Sequence, residues 1–200
     1  MTLVWPPRAS THSHGTEFRA TKEMPALVEG LGLRIGVAVT ESLHAAVSAA
    51  DASRLCLKWP NDVLIDGRKV CGVLTEVMGS GEGLRVVVGI GVNLNFDAYR
   101  LPEELRARAT TIRAALGRDL DPETVLSALL ERVGPAIDGP WPDAGLVSRA
   151  NAMLWGVGSQ HSCVLDDGTP ATGELVGLDE RGEPLVRTAS GMGWLPTTAI

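Results

Sequence analysis

The stretch from Leu55 to Asn95 constrains the fold most tightly, because four β-like runs follow one another there with only turn chemistry between them. The runs are Leu55 to Trp59, Val63 to Ile65, Lys69 to Val77 and Arg85 to Asn95, rich in Val, Ile and Leu. Pro60-Asn61-Asp62 suits a tight turn, since proline presets φ and the short polar side chains can close the bend. Asp66-Gly67 is a two-residue hairpin signal, and Gly79-Ser80-Gly81-Glu82-Gly83 reads as a longer loop between two long strands. Strands joined in this way pair antiparallel. The fold class expected is α+β, with a mostly antiparallel, mixed sheet covered by the helices on either side of it in the chain.

Those helices have different signals. Leu27, Leu31, Ile35, Val39, Leu43 and Val47 recur every four positions, and Val28, Ala38 and Ala46 widen the stripe, which predicts an amphipathic helix. Gly32 and Gly36 each cost such a helix about 1 kcal/mol relative to alanine, so another backbone, expected to be the sheet, should approach that side closely. The β-branched run Ile35, Val37, Val39 leaves a strand as the competing reading. Leu101 to Leu116 reads as short helical pieces. Asp121 to Ile137 is a marked helix, with Asp121 as its cap, Pro122 in its first position and Val125, Leu126, Leu129, Leu130 and Val133 as its buried stripe. Gly145 to Leu154 adds a short helix. Beyond Trp155 only β-like pieces remain, Ser162 to Asp166, Gly173 to Asp179 and Pro184 to Thr188, broken by Asp167-Gly168 and Arg181-Gly182. The expected organisation is a main domain over residues 1–154 and a small β barrel over 155–200, too short to fold alone and leaning on the first.

Composition removes several function classes. The longest apolar stretch, Leu31 to Ala50, is broken by Arg34, Glu41, His44 and two glycines, which speaks against a membrane span. Arg8, Glu17, Arg19, Lys22 and Glu23 stand where a signal peptide needs its apolar centre, and Cys56, Cys71 and Cys163 form no CxxC pair, so a cytoplasmic location is expected. A net charge of −6 withholds the positive field that non-specific nucleic-acid binding needs. The three cysteines read as small core residues. His12 and His14 lie in a polar run without a third ligand at metal spacing, so no metal site is assigned there.

Three segments remain as carriers of chemistry. Lys58-Trp59-Pro60-Asn61-Asp62 gathers a cation, an aromatic plane, a carboxamide and a carboxylate at one strand-to-turn junction, able to meet a nucleotide, though a plain turn also explains it. Lys69-Val70-Cys71-Gly72 follows; strict alternation puts Lys69 on the face of Cys71, Val73 and Thr75, and Gly72 on the other. A cation aimed into a half-apolar pocket suits carboxylate activation, and a lysine at a hairpin base also suits a solvated edge. Gly72 in mid-strand, like Gly89 and Gly91 in Gly89-Ile90-Gly91-Val92-Asn93-Leu94-Asn95, suggests close approach by a ligand or a backbone, and Asn93 offers both donor and acceptor there. No dinucleotide fingerprint, Walker loop, nucleophile elbow or HExxH occurs.

KWPNDVLI, RKVCGVLTEV and GIGVNLN, in that order and spacing, resemble the biotin-protein ligases, also called biotin-[acetyl-CoA-carboxylase] ligases or holocarboxylase synthetases. The resemblance runs from about Leu27 into the small β region, where GELVGLDERGEPLVRT is similar to the family's C-terminal SH3-like barrel. It implies a class II synthetase-like biotin/lipoate ligase catalytic domain that uses biotin, ATP and Mg²⁺ to make biotinyl-5′-AMP. An acceptor lysine, in the biotin carboxyl carrier domain of acetyl-CoA carboxylase or a related carboxylase, then takes the biotin. By the motif match Lys69 is the catalytic residue, lying against the biotin carboxylate and the adenylate phosphate. Asn61, Asp62 and Asn93 line the nucleotide side, and Gly72, Gly89 and Gly91 admit the ligand; Lys58 and Trp59 belong to the motif without an assigned contact.

The resemblance also implies departures. The family's serine/threonine-asparagine biotin segment and its glycine- and arginine-rich loop would precede Met1, so an N-terminally truncated catalytic domain is expected, with Met1 to Pro7 as the strand after that loop. A winged-helix DNA-binding domain is not expected, the barrel is expected to stop short of its last strand, and homodimers occur in parts of the family. The alternatives are a non-catalytic module that binds biotin or a nucleotide, and a lipoate-protein ligase.

Overall fold

The computed structural model describes residues 2–5, 30–78, 85–165 and 168–194. The expectations placed on Leu27 and Val28, on His12 and His14 and on the Gly79–Gly83 loop lie outside them. Five strands, Thr2–Trp5 (β1), Leu55–Lys58 (β2), Asp62–Ile65 (β3), Arg68–Met78 (β4) and Arg85–Val92 (β5), form one sheet in the order β1-β5-β4-β3-β2, with every neighbouring pair antiparallel. The hairpin at Asp66-Gly67 forms as the sequence predicts, both residues having positive φ, 50° and 75°.

Helix Leu31–Ala46 (α1) settles the competition between helix and strand at Ile35 to Val39. Its apolar residues serve two cores at once: Leu31, Ile35, Val39 and Leu43 pack with the sheet, while Leu33 and Val37 pack on a second cluster. A strand would put all six of these odd-numbered residues on one face, and only the helical period parts Leu33 and Val37 from the other four. Helix Pro122–Asp138 (α4) is capped by Asp121, whose carboxylate accepts from the Glu123 and Thr124 amides. Between α1 and α4 lie Ala49–Ala52 (α2), two 3₁₀ turns at Ala98–Arg100 and Glu103–Leu105, and Ile112–Leu116 (α3). The buried stripe of α4 is narrower than expected. Val125, Leu129, Val133 and Ile137 are buried, whereas Leu126 and Leu130 are 42% and 50% exposed. The burial follows the i, i+4 spacing of a seam and leaves the wider stripe in solvent.

Helix Ala144–Ala152 (α5) leads into four strands, Gln160–Leu165 (β6), Pro170–Leu178 (β7), Pro184–Thr188 (β8) and Gly191–Trp194 (β9), which close into a small barrel. The last strand, absent from the sequence reading, pairs with both β8 and β6. The barrel packs through a shared core: Cys163, Leu175, Leu178 and Val186 cluster with Leu33, Val37, Leu57, Trp59, Leu146, Val147, Ala150 and Leu154. Two backbone bonds, Leu57 N–H to Met153 O and Trp155 N–H to Leu57 O, both 2.8 Å, tie the end of α5 to β2. Among the described residues no helix is long and apolar enough to cross a membrane.

A charged clasp holds the β3–β4 hairpin from outside. Arg54 grips Asp66 with two bonds of 2.6 and 3.1 Å and also reaches the Ala115 carbonyl at 2.9 Å, while Arg118 bonds Asp51 at 3.1 Å. The bonds from Arg54 hold the Asp66 carboxyl below its ordinary range. A carboxyl depressed in the folded state stabilises the fold above its unfolded pKa, and that contribution is lost as pH falls. Arg54→Ala should therefore melt a few degrees below the parent at neutral pH, and the gap should close as pH falls below the ordinary carboxylate value of about 3.9. A gap that stays constant through acid in thermal melts would show that the clasp does not stabilise the hairpin through charge.

Candidate active site

One face of the sheet is filled by α1 and α4; the other carries the glycines. Cross-strand pairing aligns Asp62, Gly72 and Gly91 in one row, and Leu74 with Gly89 and Thr2 in the next. The missing side chains leave strand backbone bare on this face, and Leu74 and Met78 beside it are exposed. A flat ligand can lie directly on such a surface.

Lys69 stands on this face, contrary to the alternation reading. Leu64 pairs with Lys69 and Val63 with Cys71, so Val70 is an extra residue and β4 carries a β-bulge. Val70 and Cys71 both enter the core, and the parity of the strand reverses before Gly72. Lys69 thus shares a face with Gly72 and Asp62, and not with Cys71. Its Nζ lies 2.6 Å from Asp62 Oδ1, the two side chains being 45% and 23% exposed. The ammonium crosses above Gly72: a Cβ there would stand 2.8 Å from Lys69 Cε and 2.9 Å from Nζ. Gly72 is needed so that the lysine can lie flat over its own strand.

The Trp59–Asn61 turn is set against the helix. A Cβ on Gly36 would lie 2.8 Å from Pro60 O and 2.9 Å from Asn61 Cα, so the close approach that the helix glycines predict is made by this turn and not by a strand face. Asn61 donates from Nδ2 to Val73 O at 2.9 Å, fixing the turn to β4. Trp59, with no contact assigned from sequence, is buried in the second core and donates its indole N–H to Gly182 O at 2.9 Å. Lys58 is the register partner of Asp62.

Strand β5 ends at Val92, earlier than expected, and Asn93 begins a different connection. Asn93 N–H bonds Val70 O at 2.7 Å, and its Nδ2 donates to Thr110 O at 3.0 Å. Sequence reasoning missed the segment this reaches, Arg108 to Ile112. Its signal was Thr110-Thr111, two polar residues that are wholly buried.

Cys71 is no nucleophile, because burial, and after it the Asp62 charge, pushes its thiol up to about 12. All three cysteines are free; Cys71 and Cys163 are buried, as their core reading predicts, whereas Cys56 is half-buried and belongs to neither core. Among the described residues no group of three or more His, Cys, Asp or Glu side chains could hold a metal ion. A cavity of about 380 Å³ lies in the helix layer among Arg34, Glu41, Leu146 and Arg149, away from the glycine face.

Comparison with known proteins shows the family. Residues 6–93 match the model of the biotin/lipoate A/B protein ligase family. The bifunctional ligase/repressor BirA of Bacillus subtilis is 30% identical over 167 residues, 81% of this chain and 49% of its own length. The biotin–[acetyl-CoA-carboxylase] ligase of Paracoccus denitrificans is 40% identical over 107 residues, 52% of this chain and 38% of its own. The Aquifex aeolicus biotin protein ligase solved with biotin and ATP superposes with a TM-score of 0.70 at 30% identity, covering 88% of this chain and 72% of that one. This chain belongs to the biotin-protein ligase family. It spans about half the length of the Bacillus relatives it matches.

Within this biotin-protein ligase relative the fold brings Lys69, Asp62, Gly72 and Gly91 into one cluster, with Gly89 in the adjoining row. Asn61 and Asn93 border the cluster, each spending an amide N–H on a backbone carbonyl.

Proposed function

We propose that this chain activates biotin with ATP and transfers it to a lysine of an acceptor protein. In the first step a biotin carboxylate oxygen attacks the α-phosphorus of ATP, an O–P bond forms, and pyrophosphate leaves. In the second the neutral amine of the acceptor lysine attacks the carbonyl carbon of biotinyl-5′-AMP. An amide forms, AMP departs with the bonding pair, and the amine proton is lost. The observation that carries this reading is the Lys69 ammonium held over Gly72 by Asp62 at 2.6 Å, on a face of bare strand backbone.

There Lys69 would offset the charge that gathers on carboxylate and phosphate oxygens in the first step, a task suited to a cation held in place beforehand. Gly72, Gly89 and Gly91 would let the ligand lie on the strands. Asn61, Asp62 and Asn93 would border the nucleotide. One carboxylate together with substrate phosphates is a set that fits Mg²⁺, so Asp62 would hold the ion and the ion would neutralise phosphate charge. Residues 1–154 would form the catalytic unit and 155–200 an SH3-like barrel attached to it. The Aquifex protein solved with biotin and ATP supports the substrates, and the Paracoccus relative's name supports an acetyl-CoA carboxylase carrier domain as the acceptor.

Purified chain incubated with labelled biotin, MgATP and a biotin carboxyl carrier domain should place label on that domain only when ATP is present. Folded protein that releases no pyrophosphate in response to biotin would overturn the reading, and label transferred from lipoate instead would redirect it. Gly72→Ala should leave the melt within a few degrees of the parent, because the new methyl meets side-chain ends and no backbone: the flexible end of Lys69 and, at 3.2 Å, Asp62 Oδ1. Displacing that ammonium by an ångström or more should lower the adenylation rate by roughly a hundredfold. A parental rate from this variant would show that the position of Lys69 over Gly72 is immaterial.

A further inference from the structure

Lys69 leaves β4 where β5 has already ended, so its backbone needs another partner on that side. The segment from Arg108 supplies it. Lys69 N–H donates to Arg108 O at 2.8 Å and Thr110 N–H donates to Lys69 O at 2.9 Å, a parallel bridge centred on Lys69 and Ala109. Both backbone groups of the lysine are therefore held by a stretch that belongs to no named strand.

Asn93 adds a second connection between that stretch and the bulge. Its N–H takes the carbonyl of Val70, the extra residue that turns Lys69 toward Asp62. Its carboxamide donates to Thr110 O at 3.0 Å, and its own carbonyl accepts from Ile112 N–H at 2.8 Å. Three bonds from one residue thus reach the bulge, the bridge and the start of α3. Thr110 contributes through its backbone, since its buried hydroxyl has no hydrogen-bond partner among the described residues.

We infer that Asn93 is a positioning residue for Lys69, clasping the Arg108–Ile112 segment against the β4 bulge so that the ammonium stays over Gly72. The inference rests on the ligase reading for its consequence in turnover, and on geometry alone for the clasp. Beside its proposed place at the nucleotide, Asn93 acts here through another residue. A substitution removes only the carboxamide bond, because the bonds to Val70 and Ile112 use the Asn93 backbone, so the fold should survive.

The test is amide hydrogen exchange by NMR on Asn93→Ala, read beside steady-state kinetics. Loss of one hydrogen bond should speed exchange at Lys69 and Thr110 by roughly fivefold to tenfold while Val73 and Ile90 in the sheet stay unchanged. In turnover kcat for adenylation should fall by roughly tenfold to a hundredfold. Unchanged exchange at Lys69 and Thr110 overturns the clasp, whatever the activity. An unchanged kcat also overturns it, whatever happens to KM for ATP, which reports the nucleotide contact proposed above. Asn93→Ser, shorter and still polar, supplies the same readings where the alanine chain is insoluble. Exchange requires no turnover, so a chain without ligase activity refutes the proposed function and leaves this inference to be decided by the exchange rates.

Discussion

Lys69→Met should lower the rate of biotin-dependent pyrophosphate release by roughly two to three orders of magnitude, the usual loss when one preorganised charge-stabilising donor is removed. Methionine keeps much of the stem length and deletes only the ammonium. The fold should hardly register the change, because the Lys69–Asp62 pair is 45% and 23% exposed and such pairs are worth about 0–1 kcal/mol. Rate and stability separate at this residue, so a melt and a pyrophosphate assay on the same preparation decide its role. Lys69→Arg keeps the charge but replaces a compact ammonium with a planar fork, and the space above Gly72 was sized for the former. It should recover part of the rate at most. A methionine variant with parental turnover would remove Lys69 from the chemistry and with it the main support for the proposed reaction.

Trp59→Ala carries the largest expected effect on stability. The indole is buried among Leu57, Leu154 and barrel residues of the second core, and its N–H satisfies Gly182 O at 2.9 Å. Truncating a buried tryptophan costs about 3–5 kcal/mol, and the exposed or orphaned Gly182 carbonyl adds to that. In a chain of this size each kcal/mol moves the melting temperature by about 2–4 °C, so a fall of roughly 6–20 °C should appear by calorimetry. Trp59→Phe keeps most of the apolar surface and loses the hydrogen bond, which limits its cost to about 1–3 kcal/mol. Because Pro60, Asn61 and Asp62 follow directly, the alanine variant should also loosen the turn that meets Gly36. A melt shifted by no more than a degree or two would mean that the barrel and the sheet domain do not share a working core through this residue.

Much of the architecture was legible because local chemistry dictated it. Asp66-Gly67 could hardly be anything but a two-residue hairpin, and Asp121-Pro122 announced the start of α4 as a cap and a first helical position. The glycines at 72, 89 and 91 signalled close approach, and register does bring 72 and 91 level with Asp62. Where burial depends on which neighbour arrives, the sequence alone misled. Leu126 and Leu130 belong to an apolar stripe by periodicity, yet the seam of α4 is only one residue wide and leaves them in solvent. Strand β9 went unseen because Gly191 and Gly193 weaken its propensity, while a Cβ on Gly193 would press on Cys163 across the barrel.

What the sequence determined by itself was the set of parts: a hairpin-built antiparallel sheet, a capped helix, a β-rich end, and a lysine, a carboxylate and three glycines brought together by three motifs. What only the tertiary structure decided was the direction in which the lysine points. Period-two alternation is a property of an undisturbed strand, and it sent Lys69 toward Cys71. The extra residue at Val70 has no local signal, since it exists only as a mismatch between β3 and β4 once the two are paired. The Val70 carbonyl is then held by Asn93, and the Lys69 backbone by a segment about forty residues further along, which no local rule can anticipate. The parts follow from short-range chemistry; the face on which they meet follows from pairing between distant stretches of chain.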